Sequence, residues 1–420
     1  MKKIETICVQ GTYKPKDGEP RVLPISQSTA YLHESSEDLA MLFSLEKPGH
    51  IYSRISNPTV AEVEGKINLL EGGVGCLAAS SGHAAMINVV FSLCEAGDHI
   101  VSSSKIYGGV FNLLSKTLAS YGITTSFVKP NSTKEEIISA CKPNTKFIFG
   151  ESISNPDMTI LDFDEFTSAA KEVDVPLVID NTLLTPYNFR PFEHGANIII
   201  HSGSKYMDGH GVAMAGFIID GGNYNYANGK FKRLSEPDPS YNNIVYTDTF
   251  KEAPFITRAR TCFTRDFGNY LSPFNAFLIH MNLETLHLRM ERHNDNAFKL
   301  ATFLNENKNV EKIFYPAVNH TDGHEEYLKY MDKGISGVMA FLVKGGRDEA
   351  KAFTSKLKLA TIVTHLGDLR TIVLHPASTT HSQLSDEELK NAGVLPNLIR
   401  VSVGIENIED IIDDFKQALE

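Results

Sequence analysis

The sequence predicts an α/β protein: a large, doubly wound domain built on a parallel sheet, followed by a smaller C-terminal α/β domain. Three observations carry this expectation. Between residues 59 and 220, short apolar runs (GCLAAS, DHIVSSS, ITTSFVK, TKFIFGES, PLVID, ANIIIH) alternate with helix-patterned segments, which is the signature of βαβ units. Several runs stop at polar residues, notably Asp180 after PLVI and His201-Ser202-Gly203-Ser204-Lys205 after ANIII. Those strand ends are where open α/β sheets gather their ligands. Beyond residue 270, the amphipathic stretch SPFNAFLIHMNLETLHLRMERHNDNAFKLATFLNEN leads into a second series of strands: VEKIFYP, GVMAFLVKG and LIRVSVG. The expected organisation is an N-terminal arm (1–58), a large domain (59–270) and a C-terminal domain (271–420).

Composition narrows the function classes. The chain has 420 residues, 42% hydrophobic and 22% charged, with net charge −11. That balance describes a globular protein with an ample core and argues against nucleic acid or an anionic membrane as the main partner. The five cysteines (Cys8, Cys76, Cys94, Cys141, Cys262) are scattered and never form a CxxC pair, so neither a disulfide framework nor a zinc site is expected. MKKIETICVQ lacks an apolar targeting core, and no run approaches membrane-spanning length. The expected location is the cytoplasm.

Taken in order, the arm is rich in Pro, Gly, Ser and Thr with little periodicity. It is expected to be irregular and to wrap a neighbouring subunit or cover a pocket mouth. It carries Tyr52 and Arg54 just before Asn57-Pro58-Thr59, the turn that opens the helix TVAEVEGKINLLEGG. GCLAAS then feeds Ser81-Gly82-His83 and an apolar helix, whose start is a ready anion site. No GxGxxG and no GxxxxGK[ST] occurs there, so neither a dinucleotide fingerprint nor a P-loop is read. DHIVSSS leads to Tyr107-Gly108-Gly109, placing an aromatic ring on a strand-end loop where it could lie against a flat cofactor. TKFIFGES ends near Ser154-Asn155-Pro156. From 223 to 262 the pattern breaks into a long, aromatic-rich insertion, expected to be functional or interface-forming and to narrow the pocket entrance. In the last domain, Thr364-His365-Leu366-Gly367-Asp368 and Arg400 are the polar features of note. His365, His375 and His381 have spacings that match no helical or strand ligand pair and no Cys joins them, so no metal is expected.

Asp180 and Lys205 are expected to face one pocket. A shielded Lys can form a Schiff base with an aldehyde. Pyridoxal phosphate needs such a Lys, and it needs a carboxylate to keep its ring nitrogen protonated. The ordered set of Tyr-x-Arg before a helix, Gly at a helix start, Tyr-Gly-Gly, Ser-Asn-Pro, Val-Ile-Asp-Asn-Thr and Ser-x-Ser-Lys closely resembles the Cys/Met-metabolism family of pyridoxal-phosphate enzymes. The resemblance covers essentially the whole chain.

It implies the aspartate-aminotransferase-like fold type I and a homotetramer, a dimer of dimers with shared active sites. It also implies roles. Lys205 would carry the cofactor and act as base, Asp180 would pair with the pyridinium, Tyr107 would stack on the ring, and Asn155 would bond its 3-hydroxyl. Gly82, His83, Ser202 and Ser204 would hold the phosphate, joined by Tyr52 and Arg54 from the neighbouring subunit. Arg400 would clamp the substrate carboxylate, with His365 beside it. EPDPSY in the insertion, HLGDLRTIVLHPASTTHSQL and the length resemble the branch acting on O-acetyl-L-homoserine with sulfide or methanethiol, which gives homocysteine or methionine and acetate. Two residues depart from the usual pattern: Ser204 stands where Thr is more usual, and Asp208 where Gly or Asn is. A methionine or cystathionine γ-lyase and a cystathionine γ-synthase on the same scaffold remain open, as does a non-catalytic sensor. A methionine lyase of this family would be expected to carry Cys where Gly109 stands.

Overall fold

In the computed structural model, which describes residues 2–379 and 395–420, the chain builds two sheets. The first has seven strands: β1 (Gly75–Ala79), β2 (His99–Ser103), β3 (Thr124–Val128), β4 (Thr145–Glu151), β5 (Leu177–Asp180), β6 (Ile198–Ser202) and β7 (Gly216–Asp220). Their spatial order is β1-β7-β6-β5-β4-β2-β3. The apolar runs read as strands because both faces of this sheet are covered. Successive residues alternate between faces: Ile199 and Ile219 enter one core, while Ile198, Ile200 and Ile218 enter the other.

The sheet is mixed, not wholly parallel as expected. β7 pairs antiparallel with both β6 and β1, whereas β2 to β6 pair in parallel. The physical reason lies in the connection. A parallel return needs a crossover long enough to span the sheet, and the segment from 203 to 215 contains turns but no helix. The chain therefore folds back beside β6, and Lys205 lies in that turn. Gly216 opens β7 because a Cβ there would sit 1.9 Å from the Ser81 carbonyl oxygen. β7 can slot between β1 and β6 only with a bare backbone at that point.

The arm is not irregular throughout. It contains helices α1 (Ile4–Gln10) and α2 (Ser36–Phe43). α1 buries Ile7 and Cys8 in the core that also holds Val63, Ile67 and Leu70 of α3 (Pro58–Glu71). α2 starts at Ser35, whose side chain accepts from the Asp38 N–H, a local cap. Seven- and eight-residue helices carry too few turns for their period to stand out among Pro, Gly and Ser.

The insertion also departs from the expected excursion. Short helical turns at Lys232–Ser235, Tyr246–Thr249 and Pro254–Arg258 fold it onto the sheet. Tyr226, Phe231, Tyr246 and Phe255 are buried in the core that holds α4 (Gly82–Leu93).

The long amphipathic pattern resolves into two helices, Pro273–Leu283 and Leu286–Glu306, broken at Glu284-Thr285. A five-stranded sheet follows: β8 (Val310–Phe314), β9 (Val338–Val343), β10 (Thr361–Ile362), β11 (Ile372–Leu374) and β12 (Leu398–Ser402), in order β10-β11-β12-β9-β8. The closing helix Ile408–Leu419 is capped by Asn407. No helix among the described residues is long and apolar enough to cross a membrane.

Asn57 ties the arm to the start of α3. Its Oδ1 accepts from the N–H groups of Thr59 and Val60 at the start of α3, at 2.9 and 3.4 Å. Its Nδ2 donates to Ser26 O, Tyr31 Oη and Ser53 Oγ at 2.8–3.0 Å. Replacing a cap of this kind costs about 1–2 kcal/mol, and here three arm contacts go with it. Asn57→Ala should lower the thermal midpoint by a few degrees and increase proteolysis within residues 24–56. An unchanged midpoint and cleavage pattern would mean that the arm is held elsewhere.

Candidate active site

The carboxyl ends of β1, β2, β4, β5 and β6 open onto a cavity of about 780 Å³ whose far wall comes from the second sheet. Lys205, Asp180, Tyr107, Asn155, Gly82, His83, Ser202, Ser204, His365 and Arg400 all line it. Each arrives for a local reason. Asp180 is the last residue of β5. Ser202 ends β6, and Lys205 sits in the following turn, its N–H bonded to Ser202 O. Gly82 and His83 begin α4, whose cap Ser81 accepts from the Ala84 N–H at 3.1 Å. A Cβ on Gly82 would meet Ser202 Cβ at 2.8 Å. The helix N-terminus and the β6 end thus meet as a bare-backbone cradle suited to a phosphate. Arg400 lies in β12 and donates Nη2 to His365 O at 2.9 Å, which aims the rest of its fork into the cavity.

The electrostatics match that layout. Burial, with the Arg400 charge adding to it, lowers the Lys205 pKa to about 8. Its Nζ lies 3.3 Å from His365 Nδ1, and His365 is itself pulled down by burial and by Lys205. Burial brings Arg400 to about 10. On the opposite wall, burial pushes Asp180 up, against two bonds from Thr182 that pull it back. The Thr182 N–H donates to Asp180 Oδ1 at 2.9 Å, and its hydroxyl donates to the same atom. That hydroxyl also accepts from the Ser202 N–H at 2.8 Å, so one threonine fixes the ends of both strands.

Among the lining residues that the sequence analysis gives no role, two make polar contacts with the site residues, Thr182 and Glu151. Glu151 is the register neighbour of Asp180, is buried, and accepts from the Tyr107 N–H at 2.6 Å. Burial and Asp180 push its pKa well up. The signal was available: Glu151 ends an apolar strand just as Asp180 does, and Asp-x-Thr is a local side-chain turn. Tyr107 leaves half its surface open to the cavity, and its ring meets His83 edge-on at 5.7 Å. Asn155, on a cis Asn155–Pro156 peptide, keeps a buried Oδ1 with no partner among the described residues.

Other expected residues fall elsewhere. Tyr52 and Arg54 do not line the cavity of their own chain; Arg54 Nη1 donates to Arg265 O, and its guanidinium lies over the Tyr52 ring. No residue of 223–262 lines the cavity, so the insertion does not narrow this entrance within its own chain; its aromatic residues are drawn onto the α4 core instead. Ser204 reaches the cavity, but its hydroxyl is occupied by the Ala215 backbone, accepting from N–H at 3.0 Å. Asp208 points away, accepting from the Val212 N–H and Asn282 Nδ2 at 2.9 and 3.0 Å. His375 bonds to Pro396 O and Ser378 Oγ, remote in bonding from His365; His381 lies outside the described residues, as do 380–384 of the HLGDLRTIVLHPASTTHSQL stretch.

The residues fit pyridoxal phosphate. A buried Glu151 beside the part-buried Asp180, both with raised pKa values, calls for a cation, which a protonated ring nitrogen supplies. The α4 cradle suits a phosphate, the orphaned Asn155 Oδ1 suits a phenolic hydroxyl, and a partly neutral Lys205 suits an aldehyde.

Comparison with known proteins agrees with that fit. The family of Cys/Met metabolism PLP-dependent enzymes matches residues 5–420. O-acetyl-L-homoserine sulfhydrylase of Leptospira meyeri is 42% identical, covering 99% of this chain and 96% of its own. Homocysteine synthase of Schizosaccharomyces pombe is 42% identical, over 99% of this chain and 98% of its own. A crystal structure of a putative O-acetylhomoserine (thiol)-lyase from Campylobacter jejuni superimposes with a TM-score of 0.95 at 37% identity, covering 99% of both chains. That protein carries a pyridoxyl-lysine monophosphate at its position 205.

The depressed Lys205 amine has a direct readout. In cofactor-free protein, acylation of Lys205 followed by mass spectrometry should rise with an apparent pKa of about 8 and level off above it. Exposed lysines keep rising toward their ordinary value of about 10.4. If Lys205 tracks the exposed lysines, the cavity does not shield it.

Proposed function

The chain belongs to the Cys/Met-metabolism family of PLP-dependent enzymes, and from that premise we infer that it catalyses γ-replacement, converting O-acetyl-L-homoserine and sulfide into L-homocysteine and acetate. It has the fold type I architecture and takes pyridoxal phosphate as cofactor. One observation carries the residue-level reading: a partly neutral Lys205 and the part-buried Asp180 line the same cavity as Arg400, which comes from the other sheet.

Bound pyridoxal phosphate supplies the electron sink that lets protons leave carbon. The protein residues do the rest. Asp180, held by Thr182, keeps the proton on the cofactor's ring nitrogen. Gly82, His83 and Ser202 hold its phosphate at the α4 start, and Asn155 takes its hydroxyl. Tyr107 backs its ring. Arg400 clamps the α-carboxylate of O-acetylhomoserine in a bidentate fork, with Nη2 steadied on His365 O. The Lys205 amine would take the Cα proton, pass it on to the bound cofactor and, neutral again, take a Cβ proton, so that acetate departs from Cγ. Hydrosulfide would add at Cγ, the Lys205 ammonium would return its proton to Cβ, and the proton passed on would go back through the same amine to Cα.

The cavity also supports the choice of nucleophile. Arg400 is the one guanidinium among its described lining residues, and Val363-Thr364-His365-Leu366 forms the wall beside Lys205. Cysteine as nucleophile brings a second carboxylate, which would be desolvated without a second cation. Sulfide brings none. At position 109, where a lyase would be expected to carry Cys, a Cβ would meet Tyr107 Cε1 at 2.7 Å and His83 Cε1 at 2.8 Å, so glycine leaves both rings as they stand.

The assembly we propose is a homotetramer of two dimers, each site completed by Tyr52 and Arg54 of the neighbouring subunit. Support comes from their position on the arm, outside their own cavity, with Tyr52 41% exposed. The cytoplasm is the proposed location, in keeping with five unpaired cysteines.

Kinetics with O-acetylhomoserine should give a kcat/KM for sulfide at least about tenfold above that for cysteine, the size of one lost charged hydrogen bond. Cystathionine forming fastest at equal nucleophile concentration would overturn the choice of nucleophile, and methionine alone yielding 2-oxobutanoate at a comparable rate would favour the lyase. The shared site has its own test. Lys205→Ala and Arg54→Ala should each be inactive or nearly so, yet mixed subunits should regain activity, because one pocket in a mixed dimer keeps both residues. No recovery after demonstrated subunit exchange would mean that each pocket is built from one chain.

A further inference from the structure

A second cavity, of about 520 Å³, lies between the N-terminal segment, α3 and the helix Pro273–Leu283. It shares no lining residue with the active site. Its walls carry Lys2, Lys14, Arg21 and Lys66 against one carboxylate, Glu284, in a protein whose net charge is −11. Two of its groups are buried and poorly satisfied. Lys66 is 1% exposed, and its Nζ makes a single long hydrogen bond, 3.5 Å to His280 O. Glu284 acts on it only through space. His280 is 5% exposed, and neither of its ring nitrogens has a partner among the described residues. A buried cation and a buried imidazole left this way cost free energy unless something pairs with them.

The segment over them is built, not loose. Thr12 Oγ1 donates to Glu62 O at 3.0 Å, and Tyr13 Oη closes the 13–20 turn on Pro20 O at 2.7 Å. Gly11 passes over the Lys66 stem, where a Cβ would lie 3.0 Å from Lys66 Cγ. Apolar surface from Val9, Val22 and Leu23 completes the wall.

We infer that this cavity binds a small organic oxyanion, its carboxylate or phosphate on Lys66, His280, Lys14 and Arg21 and its carbon body against the apolar wall. Such an anion supplies the missing partner of Lys66 and accepts from a ring N–H of His280. Burial, with Lys66 adding to it, lowers His280 to about 4; its neutral ring donates from one nitrogen. The site is independent of the γ-replacement chemistry and does not rest on it.

The test uses the holoenzyme, with citrate as the carboxylate probe and inorganic phosphate as the phosphate probe. Thermal midpoints and acylation of Lys14 are read as functions of probe concentration. At least one probe should raise the midpoint saturably, as binding to the native state requires, and should protect Lys14. Lys14→Gln/Arg21→Gln, at two exposed positions, should weaken both effects by about tenfold or more and leave homocysteine formation unchanged. Arg400→Gln, which disables the carboxylate clamp of the active site, should leave both effects in place. Citrate alone acting marks the ligand as a carboxylate, and phosphate alone marks it as a phosphate. No effect of either probe overturns the inference. So do effects that survive in the double variant and vanish in Arg400→Gln.

Discussion

The structure turns on charges held away from water at the ends of two adjacent strands. β5 ends in Asp180 and β6 leads within a turn to Lys205, and neither charge has an ion-pair partner among the described residues. Burial raises the one and lowers the other. Unpaired, each would be a defect of the fold; beside a cofactor with a basic nitrogen at one end and an aldehyde at the other, each gains its partner. The large sheet places the cavity, and Thr182, bonded to both strand ends, fixes the spacing between the two groups.

The second sheet completes the cavity, and among the described residues its one hydrogen bond to a proposed cofactor residue is the 3.3 Å contact from His365 to Lys205. Arg400 projects from β12, and the loop carrying His365 returns between β10 and β11. In the proposed reaction the substrate's carboxylate is therefore held by one sheet, and its reacting carbons are served by a lysine from the other. Any change in how the two sheets meet alters the path from Arg400 to Lys205, and so the geometry of proton transfer.

Much of this was legible in the sequence, for reasons that differ residue by residue. Asp180, Ser202 and Lys205 stand out because buried strands are apolar until they end, so the first polar residue marks the edge. Glu151 obeys the same rule, but the polar run Glu-Ser-Ile-Ser-Asn-Pro that it opens does not by itself show which of its residues turns into the cavity. β7 could not be assigned a direction from its own residues. Its antiparallel course follows from the lack of a helix between 203 and 215, and its fit depends on Gly216 facing Ser81 O. The aromatic residues of 223–262 read as a functional or interface-forming insertion because their partners, Val89, Val90 and Leu93 of α4, are distant in sequence. Which chain supplies Tyr52 and Arg54 to which cavity is a property of the assembly, and a single sequence encodes it only through the position of the arm.

The most direct measurement is the stoichiometry of products from O-acetyl-L-homoserine, with and without sulfide, using purified holoenzyme. With sulfide, homocysteine and acetate should appear in equal amounts, with little 2-oxobutanoate or ammonia; without it, net turnover should be slow. Acetate released together with 2-oxobutanoate and ammonia at a rate indifferent to sulfide would contradict γ-replacement as the function of this cavity.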